Sequence, residues 1–225
     1  MGITHEEIAR IHPQLYHMAH FGNWPSIHKH GLLSTTALLD KFRVDPMERE
    51  AIESRHRGKT KPIPNTKGAW IRDQKPLNER KLATCLQDGL TPADWYRMLN
   101  KRVFFWLTTE RLKRLMLAYP SETHLVLEID TAELLKRHGA SVSLTPMNTG
   151  SVSPMAFPRG LKSFLPPSDY PFDEYRRKKG SRAKAIVELT VCYSVPDVAA
   201  VTNVASHMKI RDGELKILKT IYRRS

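Results

Sequence analysis

Glu188 stands among Ile186, Val187, Leu189 and Val191, a charged side chain inside the β-branched, alternating run from Ala185 to Val195. A carboxylate held on a rigid strand can act as a general base or stabilise positive charge developing on a substrate. Alternation alone leaves it two places, the solvent face of an edge strand or the wall of a cleft. His17 poses the same choice. Tyr16 precedes it and His20 follows three residues on. A histidine in that setting is either a satisfied core or edge residue, or a donor and acceptor for a ligand hydroxyl. Metal binding by His17, His20, His28 and His30 is disfavoured, because acidic ligands and a second ligand cluster are lacking nearby.

A second set of residues is cationic. Arg55, Arg57 and Arg72 bracket a stretch carrying Lys59, Lys61 and Lys67. This is either a solvated basic face or an electrostatic footprint for phosphates. Trp70 lies beside it and is the aromatic expected to stack on a base, whereas Trp95, Trp106, Phe104 and Phe105 read as core. Over the whole chain 36 Lys and Arg oppose 23 Asp and Glu, a net charge of +13. The isoelectric point is about 9.9. Such an excess points to a polyanionic partner, although a generically basic surface would share it.

The elements that would position these groups follow from caps and periodicity. Thr4 and Glu7 form a capping box for a first helix, and Leu15 to Met18 is a short strand. Asn23 is placed to cap a helix with Pro25 in its first turn and Gly31 as its stop. Asp45-Pro46 opens a helix through Arg55 with Gly58 beyond it, and the segment from Lys59 to Lys67 reads as an exposed loop. Thr91-Pro92 and Thr108 begin helices, while 103–107 and 123–129 are strands. The glycine- and proline-rich stretch 146–171 has the character of a loop that covers or lines a site, and 148–151 with Arg159-Gly160 are either turns or a loop whose backbone amides and Asn148 meet a ligand. Asp212-Gly213 joins two strands as a hairpin.

Helices weighted to the first half, strands to the second, and no regular βαβ alternation make the class α+β. The absence of G-x-G-x-x-G and Walker patterns argues against Rossmann and P-loop folds. A length of 225 residues suits one domain. Cys85 and Cys192 are far apart and suggest neither a zinc site nor a disulfide, which fits a reducing cytoplasm. No apolar signal core opens the chain and no run approaches a bilayer span, so no membrane role is expected.

Three islands together, LYHMAHFGNWPSIHKHGLLS (15–34), IESRHR (52–57) and AIVELTVCYSVPDVAAVTNV (185–204), resemble the DarT family of DNA ADP-ribosyltransferase toxins. The family's aromatic-His pair, second His, Asn, apolar helix and glycine fall on Tyr16-His17, His20, Asn23, Ile27 and Gly31. Its catalytic glutamate falls on Glu188, with Val195-Pro196 as the following turn, and its NAD-contacting arginine on Arg55, with Arg57 as the alternative.

The resemblance implies an ADP-ribosyltransferase-like fold, a central and mostly antiparallel split sheet with flanking helices. It implies NAD as the ADP-ribose donor and pentosyl transfer to a nucleic-acid base, single-stranded DNA before RNA, with no metal. His17, His20 and Asn23 would then contact NAD, and Arg72 would join them by its charge. Arg57, Lys59, Lys61, Lys67 and Trp70 would meet the nucleic acid. A toxin or defence role with a macrodomain antitoxin is implied as well. The segment from about 77 to 175 departs from the family pattern, and that region would carry target choice. An acceptor in RNA or protein, NAD hydrolysis without an acceptor, and a non-enzymatic nucleic-acid-binding module are the competing readings.

Overall fold

In a computed structural model describing residues 2–64, 66, 68–75 and 77–225, helices begin where side chains satisfy free backbone amides. The first half carries α1 (His5–Ile11), β1 (Gln14–His20), α2 (Trp24–His30), β2 (Leu32–Leu33), α3 (Thr35–Lys41) and α4 (Pro46–Ser54). Then follow β3 (Lys61–Pro62), β4 (Trp70–Ile71), α5 (Glu79–Ala83), α6 (Pro92–Asn100), β5 (Arg102–Trp106) and α7 (Thr109–Leu117). The second half continues with β6 (His124–Asp130), α8 (Thr131–His138), β7 (Val142–Thr145), α9 (Phe172–Lys179) and α10 (Arg182–Ala185). It closes with β8 (Glu188–Cys192), β9 (Ser194–Val195), α11 (Val198–Val201), β10 (Thr202–Arg211) and β11 (Glu214–Arg223). Helices and strands are therefore interleaved and not segregated by half.

Several starts obey their local chemistry. Thr4 Oγ1 accepts the Glu7 amide at 3.2 Å, Asp45 Oδ1 accepts the Met47 amide at 2.9 Å, and Thr91 with Asp94 closes a full capping box on α6. Each satisfies amides that the first helical turn leaves free. Two expectations fail for equally local reasons. α4 stops at Ser54 because Arg55 is already extended at φ −121, ψ 155, so Gly58 is not its stop. The 59–67 segment is no plain loop, since Lys61 and Pro62 pair with Ile71 and Trp70 and Ile63 is buried. Lys67 lies outside the described residues.

Seven strands form one sheet in the order β11-β10-β6-β1-β5-β8-β7, antiparallel at every pairing. β1 pairs with β6 along its whole length, from Gln14–Asp130 to His20–His124. With β5 it pairs only at Tyr16 and Trp106. The sheet is thus split into a four-strand and a three-strand half that touch at one rung. β8 lies between β5 and β7, which excludes the edge-strand place for Glu188. The β10–β11 hairpin has ten residues in each strand, and its turn puts Asp212 and Gly213 both at positive φ, the geometry of a type I′ turn.

One core cluster, with Leu15, Phe105, Leu127 and Leu189, joins the sheet to α1, α8 and α11. On the other face Leu112 and Met116 of α7 pack on Met18, Val126 and Met208. A third cluster lies in the middle region, where Leu82, Trp95, Tyr96 and Leu99 meet Val152 and Phe164 of the long irregular stretch.

Candidate active site

Beyond the Tyr16–Trp106 rung a cavity of about 270 Å³ opens at the split, lined by His17 and Met18 of β1, Val103 and Phe104 of β5, and Glu188 of β8. His17 Nδ1 lies 2.8 Å from the Phe104 carbonyl oxygen, so the side chain bridges strands whose backbones no longer pair. A carbonyl only accepts, hence Nδ1 carries the proton. Burial first and Arg72 second push the ring down to about 4, against the Phe104 bond. At neutral pH the imidazole is therefore uncharged, with Nε2 left as an acceptor.

Glu188, 1% exposed, opens β8 opposite Trp106 and Thr145. Its carboxylate accepts the Thr149 amide at 3.1 Å and the Thr149 hydroxyl at 2.7 Å. Burial raises the carboxyl to about 7, and the two Thr149 bonds, then Arg111 and Arg159, restrain the rise. A group so poised can hold or release a proton at neutral pH. It lies in the wall of the cavity and is almost wholly out of solvent.

The arginines divide differently from the sequence expectation. Arg55 is exposed beyond α4 and does not line the cavity. Arg57 is buried in the cavity wall, where Nη1 donates to the Ile52 carbonyl at 2.7 Å and Nε to that of Arg72 at 3.3 Å. Ile52 is in the last turn of α4, whose carbonyls lack helical donors, so Arg57 acts as a C-terminal cap and not as a surface contact for nucleic acid. Burial lowers its guanidinium to about 10 against the opposing charges of Asp73 and Glu53. Arg72 lines the cavity with its guanidinium 4.3 Å from the Tyr119 ring centre. Its Nη2 is buried and has no partner among the described residues, a donor available to an anion.

Asn23 does not cap α2 with its side chain. Its amide instead exchanges two 3.0 Å bonds with the Trp70 backbone, one to the oxygen and one from the nitrogen, and so ties β4 to the cavity rim. His20 faces away from the cavity into a neighbouring groove that Phe21, Lys59 and Lys75 also line. Its ring stacks on Trp70 at 4.4 Å, and its Nδ1 accepts the Gly22 amide at 3.3 Å. Trp70 lines the cavity itself, and Asp73 lines both spaces. Lys61 is exposed on β3.

His17 and His20 are three apart on a strand and so occupy opposite faces, while His28 packs on Trp24 and His30 on Phe42. Among the described residues no group of three or more His, Cys, Asp or Glu side chains is placed to hold a metal ion. No helix among them is long and apolar enough to cross a membrane.

Tyr119 also lines the cavity, and nothing in its sequence surroundings marks it. Asn148 to Gly150 does turn, with the Gly150 amide on Asn148 Oδ1 at 3.0 Å. The same turn delivers Thr149 to Glu188, a contact that no local pattern announces.

No curated protein matches the chain. Among solved structures it is similar to Thermosipho africanus DarTG in complex with ADP-ribose, with 15% identity and a TM-score of 0.43 over 82% of this chain. The match spans 42% of that longer chain. A family model described as a family of unknown function, DUF7002, matches residues 13–202. The chain belongs to this family.

Proposed function

We propose that the chain transfers ADP-ribose from NAD to a base of single-stranded nucleic acid, DNA in the first instance. The observation that carries this reading is Glu188, buried and poised near neutrality at a split where His17 and Arg72 face the same cavity. The donor is inferred from the resemblance of the three sequence islands, and the residues present suit it. Arg72 offers an unpartnered donor to a phosphate oxygen, His17 Nε2 offers an acceptor to a ribose hydroxyl, and Phe104 and Trp70 give apolar walls for a planar ring.

NAD supplies its own leaving group, because nicotinamide departs neutral once its bond to the ribose breaks. Glu188 stabilises the positive charge that develops on the sugar, as carboxylates do in glycoside cleavage. A nitrogen of the acceptor base forms the new bond to the same carbon, and its proton passes to the Glu188 carboxylate and then to solvent. Arg57 keeps the wall of the cavity in place, and Arg55 is assigned no role in this chemistry.

For the acceptor, the groove beside the cavity combines Lys59 and Lys75 with Phe21, whose ring is 51% exposed. His20 lies 4.6 Å from the Phe21 ring centre and 4.4 Å from that of Trp70, so three aromatic groups lead from the groove to the cavity. An unpaired base can stack there without the cost of leaving a duplex. A toxin or defence effector acting in the cytoplasm, countered by a macrodomain hydrolase, is the biological setting this reading implies.

Incubating the protein with labelled NAD and single-stranded DNA, RNA or a protein lysate tests it. Label is expected on the single-stranded DNA. Label on RNA or protein alone would change the acceptor, free ADP-ribose without any acceptor would make the chain a glycohydrolase, and no thermal shift with NAD would remove the donor. Arg72→Met is expected to weaken NAD binding about tenfold, near 1.4 kcal/mol, for one phosphate contact. Calorimetric titration with NAD measures this, and an unchanged Kd would assign the phosphates elsewhere.

A further inference from the structure

Thr149 makes the only hydrogen bonds the Glu188 carboxylate receives among the described residues, yet it sits in a turn outside any helix or strand. Something must fix it. The Thr149 carbonyl accepts Arg159 Nη1 at 3.2 Å and Trp95 Nε1 at 3.4 Å. Arg159 also donates from Nη2 to the Ser151 carbonyl at 3.1 Å and from Nε to that of Phe157 at 3.2 Å. One guanidinium therefore gathers three carbonyls of a single loop, and no carboxylate forms an ion pair with it among the described residues.

Arg159 is 1% exposed, and burying a cation without an ion pair is costly unless its donors are all met. The fold supports the arrangement from below. The Arg159 amide donates to the Cys85 carbonyl and its own carbonyl accepts the Gln87 amide, both at 2.9 Å. Its guanidinium lies 5.6 Å from the Trp95 ring centre. Next to it, a Cβ on Gly160 would stand 2.2 Å from Asp88 Oδ2, so a side chain at 160 would displace the carboxylate that accepts the Leu161 amide at 2.8 Å. The segment from about 77 to 100, whose purpose the sequence leaves open, is thus the platform on which the loop is anchored.

We propose that Arg159, with Trp95, is a positioning residue: it holds the Thr149 peptide so that the Thr149 amide and hydroxyl converge on Glu188. The proposal rests on Glu188 being the functional carboxylate but not on the identity of its substrate. The charged groups facing Glu188 are Arg111 from α7 and Arg159 from the loop, with His17, Arg57, Arg72, Asp73 and Arg102 elsewhere around the cavity.

The test uses the full chain without NAD. The Glu188 carboxyl carbon, identified by its loss in Glu188→Gln, is followed by NMR against pH, together with hydrogen exchange of the Thr149 amide. In Arg159→Met the Thr149 amide is expected to exchange at least tenfold faster, and the Glu188 midpoint to move up, because both the lost bonds and the lost charge favour the protonated carboxyl. Trp95→Phe, which removes one donor and keeps the ring, is expected to give a smaller change of the same sign, and Arg159→Lys a partial rescue. Unchanged exchange and an unchanged midpoint in folded Arg159→Met would overturn the proposal. Should that variant not fold, the same readings on Trp95→Phe and Arg159→Lys decide it. Failure of the wild-type chain to use NAD would count against the proposed function and leave this result standing.

Discussion

Glu188→Gln is expected to lower ADP-ribosyl transfer by a factor of about 10³ or more while making the protein more stable at pH 8.5 by about 3 kcal/mol. The first effect follows from removing the carboxylate that β8 holds at the split, since an amide can neither carry negative charge beside a developing cation nor take the acceptor's proton. A factor of 10³ corresponds to about 4 kcal/mol of lost transition-state stabilisation, in the range measured for single electrostatic groups. The second follows from the folded carboxyl lying near 7 and not near its ordinary 4.5. Above both values the group is ionised in either state, and the folded state bears the cost of a charge out of solvent. Below 4.5 it is protonated in either state and costs nothing. The gain from Gln is therefore full at pH 8.5 and small at pH 4.5, a dependence opposite to that of a salt-bridged carboxylate. Thermal unfolding at the two pH values measures it, with a rise of about 6–12 °C expected at the higher one. Loss of activity together with loss of stability at pH 8.5 would mean that Gln disturbs the Thr149 contact, and activity that survives would remove Glu188 from the chemistry.

What the sequence reveals of this site is the part carried by continuous segments. His17 and Glu188 are each legible as unusual residues on strands, and the strands themselves are announced by apolar alternation. Their meeting is not, because it depends on β1 and β5 sharing a single rung, a property of register that neither strand encodes alone. The arginines show the same limit from the other side. Arg55 and Arg57 have equal claims in a basic run, and the choice is made by the Ile52 carbonyl, which accepts Arg57. Asn23 has the residue type and position of a cap, but its amide is taken by the Trp70 backbone across 47 residues. α8 and α9 were legible in principle. Asp130 caps α8 through the Glu133 amide at 3.1 Å, and α9 has acids in its first turn, bases in its last and a left-handed Gly180 after it. These signals were masked by the stronger polar and basic character of their surroundings.

On acidification the chain is expected to lose stability steeply between pH 6.5 and 4.5, where ordinary carboxylates are still ionised. His12, His17 and His124 are each pushed down from 6.5 to about 4, in every case chiefly by burial. His12 and His124 are nearly inaccessible, 3% and 1% exposed, and the Nε2 atom of each has no partner among the described residues. In the unfolded chain all three would protonate near 6.5, while in the folded state they stay neutral down to about 4. The stability they contribute is thus complete above the unfolded value and is lost as pH falls through that window. Glu188 works in the opposite sense, since its folded carboxyl takes up a proton near 7 and the unfolded one only near 4.5. Three histidines set against one glutamate leave unfolding coupled to the uptake of about two protons, a slope of about 2.7 kcal/mol per pH unit. Two pH units would then remove about 5 kcal/mol, comparable to the whole stability of many domains. Urea unfolding from pH 7.5 to 4.5 measures the slope. His124→Gln is expected to reduce it by about one proton, and Glu188→Gln to steepen it by about one. A slope below one proton in the wild-type chain would show that the buried imidazoles reach water, and with it the neutral, Nδ1-protonated form assigned to His17 would no longer hold.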